Sequence, residues 1–396
     1  MNAQFKLYAR SLLFGIAVGG ALAVTFAAGF LARDVLDTQF GVKAAASYPL
    51  LSEADGLLQN FYLRPMPAEN VREYAAIRGV MDSLGDQNTF FIDPPVAASE
   101  SDALAGTYGG IGVQLQRSID GDYILFPFAD SPALAAGIQD GDILVTVNGV
   151  TIDNTMQQDA VDQLLRGEVK AESGVELTIR QVDGTEFTEF ILFGVINVPS
   201  VVWRVLPEAP TLGYVHILRF TNRTPSETEA ALTALREAGI QALILDLRDN
   251  GGGLLQESIT VAGQFLDGEV VLYEVTNKDE KTFTAEQDGL MTDLPMVVLV
   301  NEWTASASEL VAGALLDHER AILIGRKTYG KGTIQQIFQL SDQSSIHVTS
   351  AEWFTPARRA LDGVGLEPTI SLTPDPSGGD IDLAEGIRYL EQQLTQ

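Results

Sequence analysis

From about Val198 to Leu372, short aliphatic runs alternate with stretches of helical periodicity, and this alternation predicts a mainly parallel α/β core. Two further observations complete the fold class. Residues 48–100 carry helical periodicity, and an uncharged run from Ser11 to Ala32 has the length of one membrane-spanning helix. The 396 residues then divide into an N-terminal anchor or signal segment (1–35), a helical region (48–100), a glycine-marked module (101–184), the α/β core (198–373), and a linker with a C-terminal helix (374–396).

Lys6 and Arg10 precede the apolar run, which places the short N-terminus in the cytoplasm and the rest of the chain outside it as a single-pass membrane protein. Secretion after signal cleavage is the alternative. Ala44-Ala45-Ala46 lies well downstream of the run, however, and Ala21-Leu22-Ala23 falls inside it. Composition narrows the partners. With 25 basic against 53 acidic residues the net charge is −28, a field that repels nucleic acid, and no such partner is expected. The absence of cysteine excludes disulfides and thiolate metal sites but says nothing about compartment.

Periodic segments from Leu50 to Phe61 and from Val71 to Leu84 form the helical region, to which packing but no chemistry is assigned. In the next module Tyr108-Gly109-Gly110-Ile111-Gly112-Val113 precedes a strand, and SPALAAGIQDGDILVTVNG follows from Ser131 to Gly149. Glycines let a loop turn several N–H groups toward one point, where a peptide's terminal carboxylate would sit; a plain turn is the simpler reading of the cluster. A helical stretch from Met156 to Gly167 ends at Arg166, either a solvated charge that complements the helix dipole or a group that reports peptide occupancy.

In the core, strand Leu212–Phe220, helix Ser226–Ala238 and strand Ala242–Leu247 lead to the loop Arg248–Gly253, which opens a helix from Leu254 to Phe265. The β-branched run Met296–Val300 is followed by a tight turn and then by a helix starting at Ser306, with apolar residues at Leu310, Val311, Ala314 and Leu315. Backbone N–H groups at a helix start favour an alkoxide and an adjacent oxyanion. Ser306 and Glu309 also fit a capping box, in which the serine merely caps the helix. A serine nucleophile needs a base, and none of the three histidines, His216, His318 and His347, has a triad context. Lys331, between two glycines and ahead of strand Thr333–Leu340, serves if burial leaves it neutral; Gln335 would orient the amine from the same strand face.

The segment NEWTASASELVAGAL followed by YGKGTIQ resembles the C-terminal processing peptidases, or tail-specific proteases. The resemblance implies a catalytic group of Ser306, Lys331 and Gln335, with oxyanion N–H donors from Gly252 (or Gly251) and Ala307. Thr304 stands where many relatives have serine. IRGVMDSLGDQNTFFIDP resembles that family's helical lead-in, and GVGLEPTISL its closing motif. The Tyr108–Gly112 stretch with SPALAAGIQDGD is similar to a protease-associated PDZ domain, implying peptide contacts from Tyr108, Gly109, Gly110, Ile111, Gly112 and Arg166. The core is then expected to be a crotonase/ClpP-like superhelical fold with the PDZ domain inserted ahead of it. The implied activity is an extracytoplasmic serine endopeptidase that needs no metal or organic cofactor. Its substrates would be polypeptides with free C-terminal tails bearing small or apolar residues. Self-association is implied by resemblance, and delivery by an adaptor protein stays open. An inactive PDZ scaffold and a crotonase-like acyl-CoA enzyme are the alternatives; the latter requires a basic nucleotide site in an acidic chain.

Overall fold

The computed structural model describes residues 48–118, 121–153, 155–373 and 379–395. The expected membrane anchor and residues 374–378 of the expected linker lie outside the described residues. Among those described, no helix is long and apolar enough to cross a membrane. The described residues fall into two units that divide between Glu73 and Tyr74.

In the first unit α1 (Pro49–Phe61) begins with a proline in its first turn, where the missing N–H has no helical partner to lose. It buries no residue, and Leu57, Leu58 and Phe61 are exposed. Arg72 Nε donates to Asp55 at 2.7 Å. Helix α2 (Glu69–Asp82) continues the chain into the second unit.

There the sequence expectation needs correction. The region expected to be helical over 48–100 contains a strand, β1 (Phe90–Ile92), and its last helix, α3 (Pro94–Ala105), runs past residue 100; Gly106 at its C-terminus adopts φ 73°. The run Phe-Phe-Ile is too short to show a period, and α3 has no apolar stripe that would reveal it. A Cβ at Gly106 would come within 2.8 Å of Thr221 Oγ1, so glycine is required by both φ and space.

The PDZ-like module is entered through β2 (Thr107–Gly110). Its own sheet contains β3 (Val113–Arg117), β4 (Tyr123–Pro127), β5 (Asp142–Val147), β6 (Val150–Thr151), β7 (Gly174–Arg180) and β8 (Glu186–Leu192), in the order β3-β4-β5-β7-β8 with β6 on β5. Short helix α4 (Pro132–Ala135) is capped by Ser131 Oγ, which accepts the Leu134 N–H at 3.1 Å; α5 (Gln158–Leu164) covers the sheet. Buried Leu115, Tyr123, Leu125, Ile138, Val161 and Leu177 form its core. The chain leaves through β9 (Gly194–Asn197), antiparallel to β2, so entry and exit share a two-stranded stem.

The remaining core starts with the hairpin β10 (Val201–Leu206) and β11 (Ala209–Ile217), followed by α6 (Thr224–Glu237), β12 (Ala242–Asp246) and α7 (Leu255–Gly263). Then come β13 (Val270–Val275), β14 (Glu280–Thr284), β15 (Met296–Val300), α8 (Ala307–Asp317), β16 (Ile322–Gly325), β17 (Thr333–Gln339), β18 (Ser345–Phe354), β19 (Ile370–Ser371) and α9 (Ile381–Leu394). The main sheet has the order β10-β11-β12-β15-β16-β19, with β11 through β19 parallel. Its central strands β12 and β15 are almost wholly apolar, Asp246 at the end of β12 excepted, because both faces are covered. Val298 and Val300 join the cluster containing Leu232, Ile259, Leu310 and Val311 of α6, α7 and α8, while Val297 and Leu299 join that of Leu390 on α9. A second sheet has the order β1-β18-β13-β14, with β17 also on β18.

Candidate active site

Ser306 occupies the turn between β15 and α8, with φ 56° and ψ −119°, a conformation that stores roughly 1–3 kcal/mol in a non-glycine residue. Its neighbours hold the turn. Buried Asn301 accepts the N–H groups of Asp249 and Trp303 on Oδ1 at 3.0 and 3.1 Å, and donates from Nδ2 to Asp249 Oδ1 at 2.8 Å. Thr304 Oγ1 donates to Leu247 O at 2.8 Å and accepts the Asn301 N–H at 2.9 Å.

The role of Glu309 extends beyond capping. It is fully buried, and its Oε2 accepts the Ser306 N–H at 2.9 Å as a capping box requires. The same carboxylate accepts from Thr328 Oγ1 at 2.5 Å, Gly330 N at 2.7 Å and Lys331 N at 2.9 Å. One buried charge therefore joins the serine turn to the loop that carries the lysine. Its four donors supply the compensation that a buried carboxylate needs.

Ser306, Lys331 and Gln335 all line one cavity of about 250 Å³. Lys331 is half-buried. Burial pushes its ammonium below the usual lysine range, against the opposing pull of the Glu100 and Asp362 carboxylates. Gln335 Nε2 donates to Thr333 Oγ1 at 2.8 Å. A register shift between Ile334 and Gln335 breaks strict alternation, and both residues line the cavity.

The glycine loop is built on Asn250. Its side chain donates to Ile217 O at 2.8 Å and accepts the Gly252 N–H at 2.9 Å, while its carbonyl accepts Ala305 N at 3.0 Å and Ser308 Oγ at 2.9 Å. Gly251, Gly253 and Ala307 line the cavity; the Gly252 N–H is held by Asn250. Gly252 has φ 100°, and a Cβ there would meet Ala305 O and Ser306 Cβ at 2.9 Å each. Gly252→Ala is therefore expected to push the loop off the serine turn and lower kcat by roughly 10²–10³-fold without unfolding the chain. Steady-state kinetics with a circular-dichroism control check this; near-wild-type kcat would contradict it.

Behind the loop, Arg248 Nη2 pairs with buried Asp246 at 2.6 Å and Nη1 with Asp380 at 2.7 Å, fixing the loop to the start of α9. Of the histidines, His216 Nε2 lies 3.2 Å from Arg248 O, and His318 Nε2 lies 2.6 Å from Val270 O. His347 lines the cavity, as do Leu104 of α3 and Phe90 and Glu100 of the segment to which the sequence assigned no chemistry. Among the described residues, no group of three His, Asp or Glu side chains is placed to hold a metal ion.

The six residues expected to bind a peptide lie together at the stem. Tyr108, Gly109 and Gly110 belong to β2, and the Ile111 side chain is fully buried in the module core. The Ile111 N–H donates to Leu165 O at 3.2 Å, the Gly109 carbonyl accepts Gly167 N at 3.0 Å, and Gly112 has φ 75°. Arg166, just beyond α5, pairs with Asp162 and lies 4.3 Å over the Tyr108 ring.

Sequence comparison matches residues 211–372 to peptidase family S41 and residues 129–181 to a PDZ domain. The chain is 33% identical to the chloroplastic C-terminal processing peptidase of Tetradesmus obliquus, over 82% of this chain and 73% of that one. It is 35% identical to the carboxyl-terminal-processing protease of Synechocystis, over 79% and 74%. A solved S41-family structure from Bacteroides fragilis, 16% identical, superposes over 88% of this chain and 99% of its own with a TM-score of 0.51, a likeness of fold alone.

Proposed function

The chain belongs to peptidase family S41, the carboxyl-terminal-processing serine proteases, and from that premise we propose that Ser306 and Lys331 form a dyad cleaving polypeptides recognised by their carboxyl-terminal tails. The observation that carries this reading is the Glu309 carboxylate, which ties the backbones of both residues to one point while their side chains enter one cavity.

In this mechanism the neutral Lys331 amine takes the Ser306 hydroxyl proton as Oγ attacks the scissile carbonyl carbon. The tetrahedral oxyanion faces the Ala307 N–H and a glycine-loop amide. Gly251 is the better placed loop donor, since the Gly252 N–H is already held by Asn250. Collapse breaks the C–N bond, and the leaving amine takes the proton from Lys331. A water molecule then gives a proton to Lys331 and attacks the acyl carbon, releasing the new carboxyl terminus and restoring Ser306. Gln335 orients the amine without adding charge.

The tail would add as a strand to the free edge of β3, its carboxylate near the glycine stretch from Tyr108 to Gly112. The Ile111 amide is held by Leu165 in this structure, so a bound carboxylate would displace that contact. The uncharged run behind Lys6 and Arg10 supports a single-pass anchor with the peptidase outside the cytoplasm, or secretion after cleavage of the run.

Cleavage of one reporter protein carrying either an apolar or a charged C-terminal tail tests the tail dependence. The apolar-tailed reporter is expected to be cut faster by roughly tenfold or more, because the tail raises its effective concentration at the site. Product ends read by mass spectrometry locate the cleaved bond. Equal rates for both reporters would end the tail-recognition reading.

A further inference from the structure

The catalytic cavity contains a carboxylate and an imidazole that the mechanism above does not use. Helix α3 brings Glu100 into it, and β18 brings His347. His347 is only 5% exposed, and its ring stacks on Phe90 of β1 with centroids 4.5 Å apart and planes at 17°. Its Nε2 lies 2.9 Å from Glu100 Oε2, a close contact without the alignment of a hydrogen bond. Glu100 acts through space on the Lys331 ammonium and favours its charged form.

The other ionisable groups around the lysine are committed elsewhere or exposed. Glu309 of α8 is saturated by four donors, two of them backbone N–H groups of the lysine loop. Asp362, beyond β18, accepts the Gly332 N–H at 3.1 Å. Arg219, after β11, lines the cavity and is exposed. Glu100 thus stands out as a carboxylate that faces the cavity and is held there by a side chain rather than by backbone.

We propose that Glu100 is a positioning residue that sets the charge balance around the Lys331 amine, and that His347 holds Glu100 away from full contact with that amine. The inference rests on the dyad reading. A carboxylate near an amine favours its ammonium form, so Glu100 restrains the base; an imidazole that occupies the carboxylate weakens the restraint. The two partners of this contact should therefore act in opposite directions, which simple damage to packing would not produce.

The test is the pH dependence of kcat/KM for a tail-bearing peptide, measured on the full chain in detergent, together with the rate of Ser306 acylation by a small activated ester. Glu100→Gln is expected to move the acid limb to lower pH by on the order of one unit, leaving the alkaline plateau close to wild type. His347→Phe keeps a ring against Phe90 but removes the nitrogen, and should move the limb to higher pH. Glu100→Asp keeps the charge on a shorter arm and should leave the limb nearer wild type than Gln does. This variant carries the test if Glu100→Gln misfolds. An unmoved limb in folded Glu100→Gln, shifts of the same sign in Glu100→Gln and His347→Phe, or equal displacement by Gln and Asp would overturn the proposal. Activity retained in Ser306→Ala would instead remove the dyad reading beneath it, so the two failures are distinguishable.

Discussion

Replacing Ser306 with alanine is expected to lower kcat for a tail-bearing substrate by roughly 10⁵–10⁶-fold, and Lys331→Ala by a similar amount, because groups acting as one unit are lost together. The double variant should be little worse than either single one. Each variant should remain folded. Ser306 sits on a turn fixed by Asn301, Thr304 and Asn250, none of which uses its hydroxyl, and the backbone N–H of Lys331 keeps its bond to Glu309 whatever the side chain. Steady-state kinetics, with circular dichroism as control, separate this outcome from unfolding. Substantial turnover by either folded variant would mean that the base or the nucleophile lies elsewhere.

Glu309→Ala is the second large effect, and it falls on stability as well as rate. Removing the carboxylate strands four buried or part-buried donors on two separate segments, the Ser306 turn and the loop from Thr328 to Lys331. Unsatisfied buried donors cost about 1–3 kcal/mol each, and partial relaxation brings the expected loss to about 3–5 kcal/mol of unfolding free energy. Glu309→Gln does not rescue it, since the amide offers one acceptor oxygen where the carboxylate offers two. Its NH₂ must then face either the Ser306 and Lys331 amides or the Thr328 and Gly330 donors. Chemical denaturation measures the loss. A change below about 1 kcal/mol in either variant would show that the clamp is dispensable.

Much of the architecture is legible in the sequence because it is local. Strand β15 has the bounds its apolar run predicts, α9 falls in the segment expected to hold a C-terminal helix, and the order strand, turn, helix around Ser306 follows from one apolar run and one helical pattern. What stays hidden is what crosses between segments. Glu309 fits a capping box three residues from Ser306, and nothing nearby in the sequence reveals that it also reaches residues 328–331. Asn250 looks like part of a glycine turn, although it joins that turn to Ala305 and Ser308. The helical lead-in reads as packing because Phe90–Ile92 is too short for a period and α3 has no apolar stripe. In the folded chain, β1 pairs with β18 in the register Phe90 opposite His347, and that pairing brings the two rings to the cavity. The acidic residue within Ser-Glu-Ser-Asp was the available signal at Glu100, but no pattern distinguishes it from a solvated charge.

The central claim, that a neutral Lys331 amine takes the proton of Ser306, is tested most directly by the pH dependence of Ser306 acylation. The adduct formed with a small activated ester is followed by intact-protein mass, in the wild type and in Lys331→Ala. The account predicts that the wild-type rate rises with pH along a limb below the value of about 10.4 for a free lysine, since only the deprotonated amine is a base and burial favours it. Lys331→Ala should lose both that limb and most of the rate. Acylation of Lys331→Ala at the wild-type rate, or with the same pH limb, would contradict it.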